Sequence, residues 1–114
     1  MTLNEIVDAL KLEVKAGNAG LEKDVLGGYA SDLLSDVIAN AKEGDVWVTL
    51  QIHQNIVAVA FLNNLAGIII VGGRKPDADT LSKAEEQGVV VMSSDLPAFK
   101  LVGRLYEMGI GKSM

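Results

Sequence analysis

The side chains able to do chemistry are few in this chain, and most sit in short polar segments that follow apolar runs. The segments are Ser31-Asp32, Gln51 to Asn55 with the lone histidine His53, Gly72-Gly73-Arg74-Lys75, and Ser93-Ser94-Asp95. Adjacent glycines let a backbone approach a ligand closely, and an arginine beside them can grip an anion through paired donors. His53 can hydrogen-bond a ligand or titrate near neutral pH. Each segment also has a purely structural use, because caps and turns are polar, a lone histidine at a helix start is more often a structural hydrogen-bonding residue, and Gly-Gly-Arg can be a tight turn with a solvated arginine. An enzyme would need a nucleophile or base from Ser93, Ser94, His53 or Asp95, and no such pair is discernible from their spacing.

Other motifs fall away on inspection. Gly111-Lys112-Ser113 resembles the end of a phosphate-binding loop, but that motif needs a glycine where Tyr106 stands, a preceding strand and a following helix. Asp77 and Asp79 read as helix-start acids favoured by the helix dipole rather than as metal ligands. The chain has no cysteine and one histidine, so thiolate metal sites, disulfides and a histidine-rich metal centre are excluded. No catalytic set, metal site or cofactor motif is expected.

A net charge of -5, with both signs interspersed, supplies no basic face for nucleic acid. No secretory leader is apparent, and no apolar run is long enough to span a bilayer, so the expectation is a cytoplasmic protein that contacts neither membrane nor nucleic acid. At 114 residues the chain is expected to be one domain, spanning 1–114, with residues 110–114 a fraying tail. Half the residues are apolar (49%) but few are aromatic (4%), a mix suited to buried aliphatic strands covered by helices.

Thr2-Leu3-Asn4-Glu5 has the spacing of a capping box, which starts a helix to about Lys11. Short strands are expected at Leu12 to Val14 and Asp24 to Ala30, the second bent by Gly27 and Gly28. Ser31 and Asp32 cap a helix whose apolar positions Leu33, Leu34, Val37, Ile38 and Ala41 recur at helical spacing until Gly44. Strands at Val46 to Leu50, Gly67 to Val71 and Val89 to Met92 alternate with helices at Ile56 to Leu62, Asp77 to Gln87 and Asp95 to Met108. This order predicts an α/β fold, a three-layer α/β/α sandwich around a mostly parallel sheet of about four to five strands. Its polar segments then leave the carboxyl ends of the strands, where open α/β sheets bind ligands. The candidate ligand-binding residues are Ser31, Gln51, His53, Gly72, Gly73, Arg74 and Ser93.

Four stretches carry a family resemblance: Gly28-Tyr29-Ala30-Ser31-Asp32, Glu43 to Thr49, Ile69 to Asp77 and Gly88 to Asp95. Together they resemble the DRTGG domain over roughly residues 24–109. That domain occurs within some phosphate acetyltransferases, between the CBS pairs of regulated pyrophosphatases, and as short stand-alone proteins, and its fold is similar to the amino-terminal domain of HPr kinase/phosphatase. Where the family has an Asp-Arg pair this chain has Ile52-His53, and Val71 replaces the threonine before the two glycines; only Gly72 and Gly73 carry over, and Arg74 is the cation available instead. The resemblance implies a non-catalytic regulatory role, possible partners being a metabolic enzyme or a second copy of the chain, with a nucleotide or other anionic metabolite as ligand. The alternative is a protein–protein interaction or dimerisation module. Its expected interface is the stripe Ile56 to Leu62, apolar on every side, where Val59→Glu or Phe61→Glu separates subunits if the stripe is surface and unfolds the domain if it is core.

Overall fold

The computed structural model describes residues 1–112. Its elements in order are helix α1 (Leu3–Leu10), strand β1 (Glu13–Ala16), a single 3-10 turn (Asn18–Gly20), β2 (Gly27–Ala30), α2 (Leu34–Asn40), β3 (Asp45–Thr49), α3 (Asn55–Leu62), β4 (Gly67–Ile70), α4 (Ala78–Gln87), β5 (Val91–Ser93) and α5 (Ala98–Glu107). The five strands form one sheet in the order β1-β5-β4-β3-β2. Strands β2 to β5 are mutually parallel, and β1 adds to β5 as an antiparallel edge.

The capping box at the start of α1 is present as the sequence indicates, with Thr2 and Glu5 bonding each other's backbone amides. The expected strand Asp24 to Ala30 shortens to β2, because Asp24 makes an isolated bridge with Thr2 instead of joining the sheet. The strand expected at 89–92 shifts to 91–93; Val89 and Val90 are buried and lead into the sheet, the Val90 carbonyl already accepting from the Ile68 amide of β4 at 2.9 Å.

Side chains alternate across the sheet and divide the core in two. Trp47, Ile68, Ile70 and Val91 point to the face covered by Val37 of α2, Ile56, Val57, Val59 and Ala60 of α3, and Ala84 of α4. Val46, Val48, Ile69 and Met92 point the other way, onto Leu3 and Ile6 of α1 and Leu101 and Leu105 of α5. The sheet grows in one direction from β2 to β5 through α2, α3 and α4, and connections of one hand leave those three helices on one face. Only α1 and α5 remain for the other face, and Gly28 and Ala30 of edge strand β2 stay exposed.

Ile110 packs into the core beside α5, so the expected frayed tail is held at least there; Ser113 and Met114 lie outside the described residues. Among the described residues no helix is long and apolar enough to cross a membrane.

Candidate functional site

Because β2 to β5 run in parallel, their carboxyl ends lie along one edge of the sheet, and α2, α3, α4 and α5 all begin there. The seven candidate residues fall on that edge, and several of them bond neighbouring loops to one another. The carboxylate of Asp32 accepts from the Thr49 hydroxyl at 2.8 Å and from the Leu50 amide at 2.7 Å, which joins the end of β2 to the end of β3. Gln51 reinforces the join by donating its Nε2 to the Asp32 carbonyl at 3.0 Å. The hydroxyl of Ser31 accepts from the Leu33 amide at 3.2 Å, while its carbonyl accepts from the indole of buried Trp47 at 2.8 Å. These are structural duties for Ser31 and Gln51, and they fix the loop that opens α2.

His53 stands just before α3 and hydrogen-bonds within the edge. Its Nδ1 lies 2.8 Å from a carboxylate oxygen of Asp77, the residue before α4. The same two loops are pinned again by the Asp77 amide and the Thr80 hydroxyl, which donate to the Ile52 carbonyl at 3.1 and 2.6 Å. The Asp77 side chain therefore serves the histidine instead of capping its own helix. A carboxylate that orients an imidazole is half of a general-base arrangement, but among the described residues no serine or threonine hydroxyl bonds to His53.

Gly72 and Gly73 both adopt positive φ, 72° and 70°, as a tight left-handed turn requires. A side chain there would also press on neighbours: a Cβ on Gly72 would meet Leu50 at 3.2 Å and one on Gly73 would meet the Asp95 carboxylate at 3.4 Å. Their amides are already engaged, Gly72 donating to the Leu96 carbonyl at 2.8 Å and Gly73 to the Ser94 carbonyl at 3.0 Å. The turn is a latch between the β4–α4 and β5–α5 loops, and what it offers a ligand is the exposed side chain of Arg74, which forms no ion pair or hydrogen bond among the described residues. Ser93 ends β5, half-buried and paired between Ile70 and Glu13.

Sequence reasoning missed the electrostatic character of this edge. Helix α1 has its capping box, yet none of α2, α3, α4 and α5 receives a side-chain hydrogen bond at its N-cap. The signal was present in part, since Leu33, Gln54 and Pro97 are poor capping residues. Four helix starts then direct partial positive charge toward one polar edge beside Arg74. Among the described residues no cluster of three or more histidine or acidic side chains could hold a metal ion.

An open, mostly parallel sheet flanked by helices, with polar residues gathered at the strand ends, defines an α/β/α domain. The family model of the DRTGG domain matches residues 5–108, and the chain belongs to the DRTGG domain family. Among solved structures it is similar to the CBS and DRTGG domains of the regulatory region of Clostridium perfringens pyrophosphatase, determined in complex with the activator diadenosine tetraphosphate. The two are 16% identical with a TM-score of 0.68; the match covers 90% of this chain and 44% of that one. The likeness is one of fold, and the chain spans less than half the length of that regulatory region. No curated protein sequence matches the chain.

Proposed function

We propose that this DRTGG domain is a non-catalytic regulatory module that binds a nucleotide or another small anionic metabolite at the carboxyl edge of its sheet and passes the binding event to a partner enzyme. The observation that carries the reading is the convergence of four helix starts without side-chain caps on the edge where Arg74 extends unpaired. The dipoles of these helices favour a negative ligand, and the exposed Arg74 adds a charge able to take a phosphate in two bonds. His53, held by Asp77, stands on the same edge as a second donor. The fold neighbour is a regulatory region bound to a dinucleotide activator, which fits the same class of ligand.

Thermal unfolding in the presence of ATP, AMP, diadenosine tetraphosphate and acetyl phosphate tests this directly. A ligand at a hundredfold excess over its Kd stabilises the folded state by about 2.7 kcal/mol, which raises the Tm of a domain this size by roughly 10 °C or more. The expected result is a shift for at least one of these anions that Arg74→Ala removes. No shift with any of them, or a shift that Arg74→Ala leaves intact, would count against the edge as the site.

A second reading, an interaction and dimerisation module, is favoured by a different observation. Phe99, Val102 and Tyr106 on one flank of α5 face solvent.

A further inference from the structure

Helix α5 has three faces. Leu101 and Leu105 are buried against the sheet, with Ala98 and Met108 packed beside them. Lys100, Arg104 and Glu107 form a charged border. Between these lies a flank of Phe99, Val102, Gly103 and Tyr106, with the three side chains 91%, 38% and 54% exposed. Such a flank, at i, i+3, i+4 and i+7, has the spacing of a helix–helix seam. It borders the part of the sheet that α1 and α5 leave uncovered, where Gly28 and Ala30 offer no bulk.

Gly103 is the residue that the fold of one subunit does not explain. It sits in the interior of a helix, where glycine is unfavourable relative to alanine, with an ordinary helical φ, and a Cβ placed on it would meet nothing within 4 Å. Its small size becomes useful only if something outside the subunit comes close.

We propose that the α5 flank is a self-complementary seam on which a second copy of this chain docks, the two α5 helices antiparallel about a twofold axis between Val102 and Gly103. The pattern reads the same in both directions: Phe99 of one copy meets Tyr106 of the other, and Val102 meets the notch at Gly103. On the charged border the same symmetry sets Lys100 of each copy near Glu107 of its mate, so opposite charges flank the seam twice. Phe99 and Tyr106, 91% and 54% exposed, have roughly 200–350 Å² left to bury per subunit, short of the ~800 Å² of a standard interface, so the dimer is a weak one. This deepens the interaction-module reading by naming surface and partner, and it is independent of the anion edge.

Sedimentation of the full chain from about 1 µM to 1 mM is the test. The expected result is a monomer–dimer equilibrium that Phe99→Glu weakens at least tenfold with an unchanged circular dichroism spectrum, while Phe61→Glu on α3 leaves it in place. Gly103→Ala separates this account from a fold defect, since it should weaken the dimer while raising the monomer's Tm. Register is read by single cysteines in a chain that has none: Val102→Cys lies near the axis and oxidises to a linked dimer, whereas two Phe99→Cys residues, about 10 Å apart along the seam, do not link. A wild-type chain monomeric throughout, a dimer indifferent to Phe99→Glu, or cross-linking at 99 but not at 102 would overturn the proposal.

Discussion

Helix α3 is apolar at every position after Asn55 and buries Ile56, Val57, Val59 and Ala60, exposing only Phe61 and Leu62 among its large side chains. Helix α5 carries lysine, arginine and glutamate, yet it leaves Phe99, Val102 and Tyr106 in water. The difference comes from position in the layers. Helix α3 lies between α2 and α4 over the centre of the sheet, so three sides of it meet protein. Helix α5 shares its face with α1 alone and borders the open flank of β2. Hydrophobicity all round a helix marks a central place in its layer, whereas a second apolar stripe on an amphipathic helix marks a surface with an unfilled role.

Breaking the comparison on the α3 side gives the largest effect. Val59→Glu places a carboxylate in the core without a partner, a cost on the order of 4 kcal/mol that takes most of the stability of a small domain. Urea denaturation should show a chain largely unfolded or close to it; a folded Val59→Glu protein would mean that α3 is not enclosed as described.

An intermediate effect concerns β2, the strand beside the flank that α5 leaves open. The Tyr29 hydroxyl donates to the Asp36 carboxylate at 2.9 Å and so ties β2 to α2. That bond, with help from Ser31 and Asn40, holds the Asp36 carboxyl below its usual range, and it raises the Tyr29 phenol above its own. The depressed carboxyl contributes stability that is present above the ordinary aspartate range and lost as pH falls through the acid range where folded Asp36 takes its proton. The raised phenol contributes stability that is present below the ordinary tyrosine value and lost as pH climbs through the higher folded value. Tyr29→Phe should lower stability at neutral pH and flatten the decline at both extremes. Denaturation midpoints across pH that match the wild type would show that the bond contributes nothing.

The smallest effects lie on the exposed residues. Phe61→Glu and Phe99→Glu each change monomer stability by no more than about 0.5 kcal/mol, as substitutions on a solvent-facing surface do. A large loss from Phe99→Glu at concentrations too low for association would place α5 in the core of one subunit.

Much of this fold is legible in the sequence because its signals are local. The Gly67 to Val71 run announces a central strand, the capping box announces α1, and the alternation of runs and polar turns gives the parallel order. The sharp boundaries were not legible where distant pairing decides them, as when Asp24 bridges to Thr2 and leaves β2 four residues long. The edge was legible as a set of polar segments. Its inner economy was not: the amides of Gly72 and Gly73 go to Leu96 and Ser94, and the Asp77 carboxylate goes to His53, pairings set by tertiary contact. The stripe on α5 is present in the sequence as two interleaved apolar rows, Leu101-Leu105-Met108 and Phe99-Val102-Tyr106, but only the layer arrangement shows that, among the described residues, no helix covers the second row and only the Lys112 ammonium lies over the Tyr106 ring.

The central claim is that an anion binds at the carboxyl edge of the sheet, and amide chemical-shift mapping during titration with diadenosine tetraphosphate and ATP tests it most directly. The account predicts saturable shifts concentrated at Leu33 to Asp36, His53 to Val57, Arg74 to Asp79 and Ala98 to Lys100, the starts of four helices and the arginine between them. Shifts confined to the opposite end of the sheet, around Lys42 and Gly109 to Lys112, or none up to millimolar ligand, would contradict it.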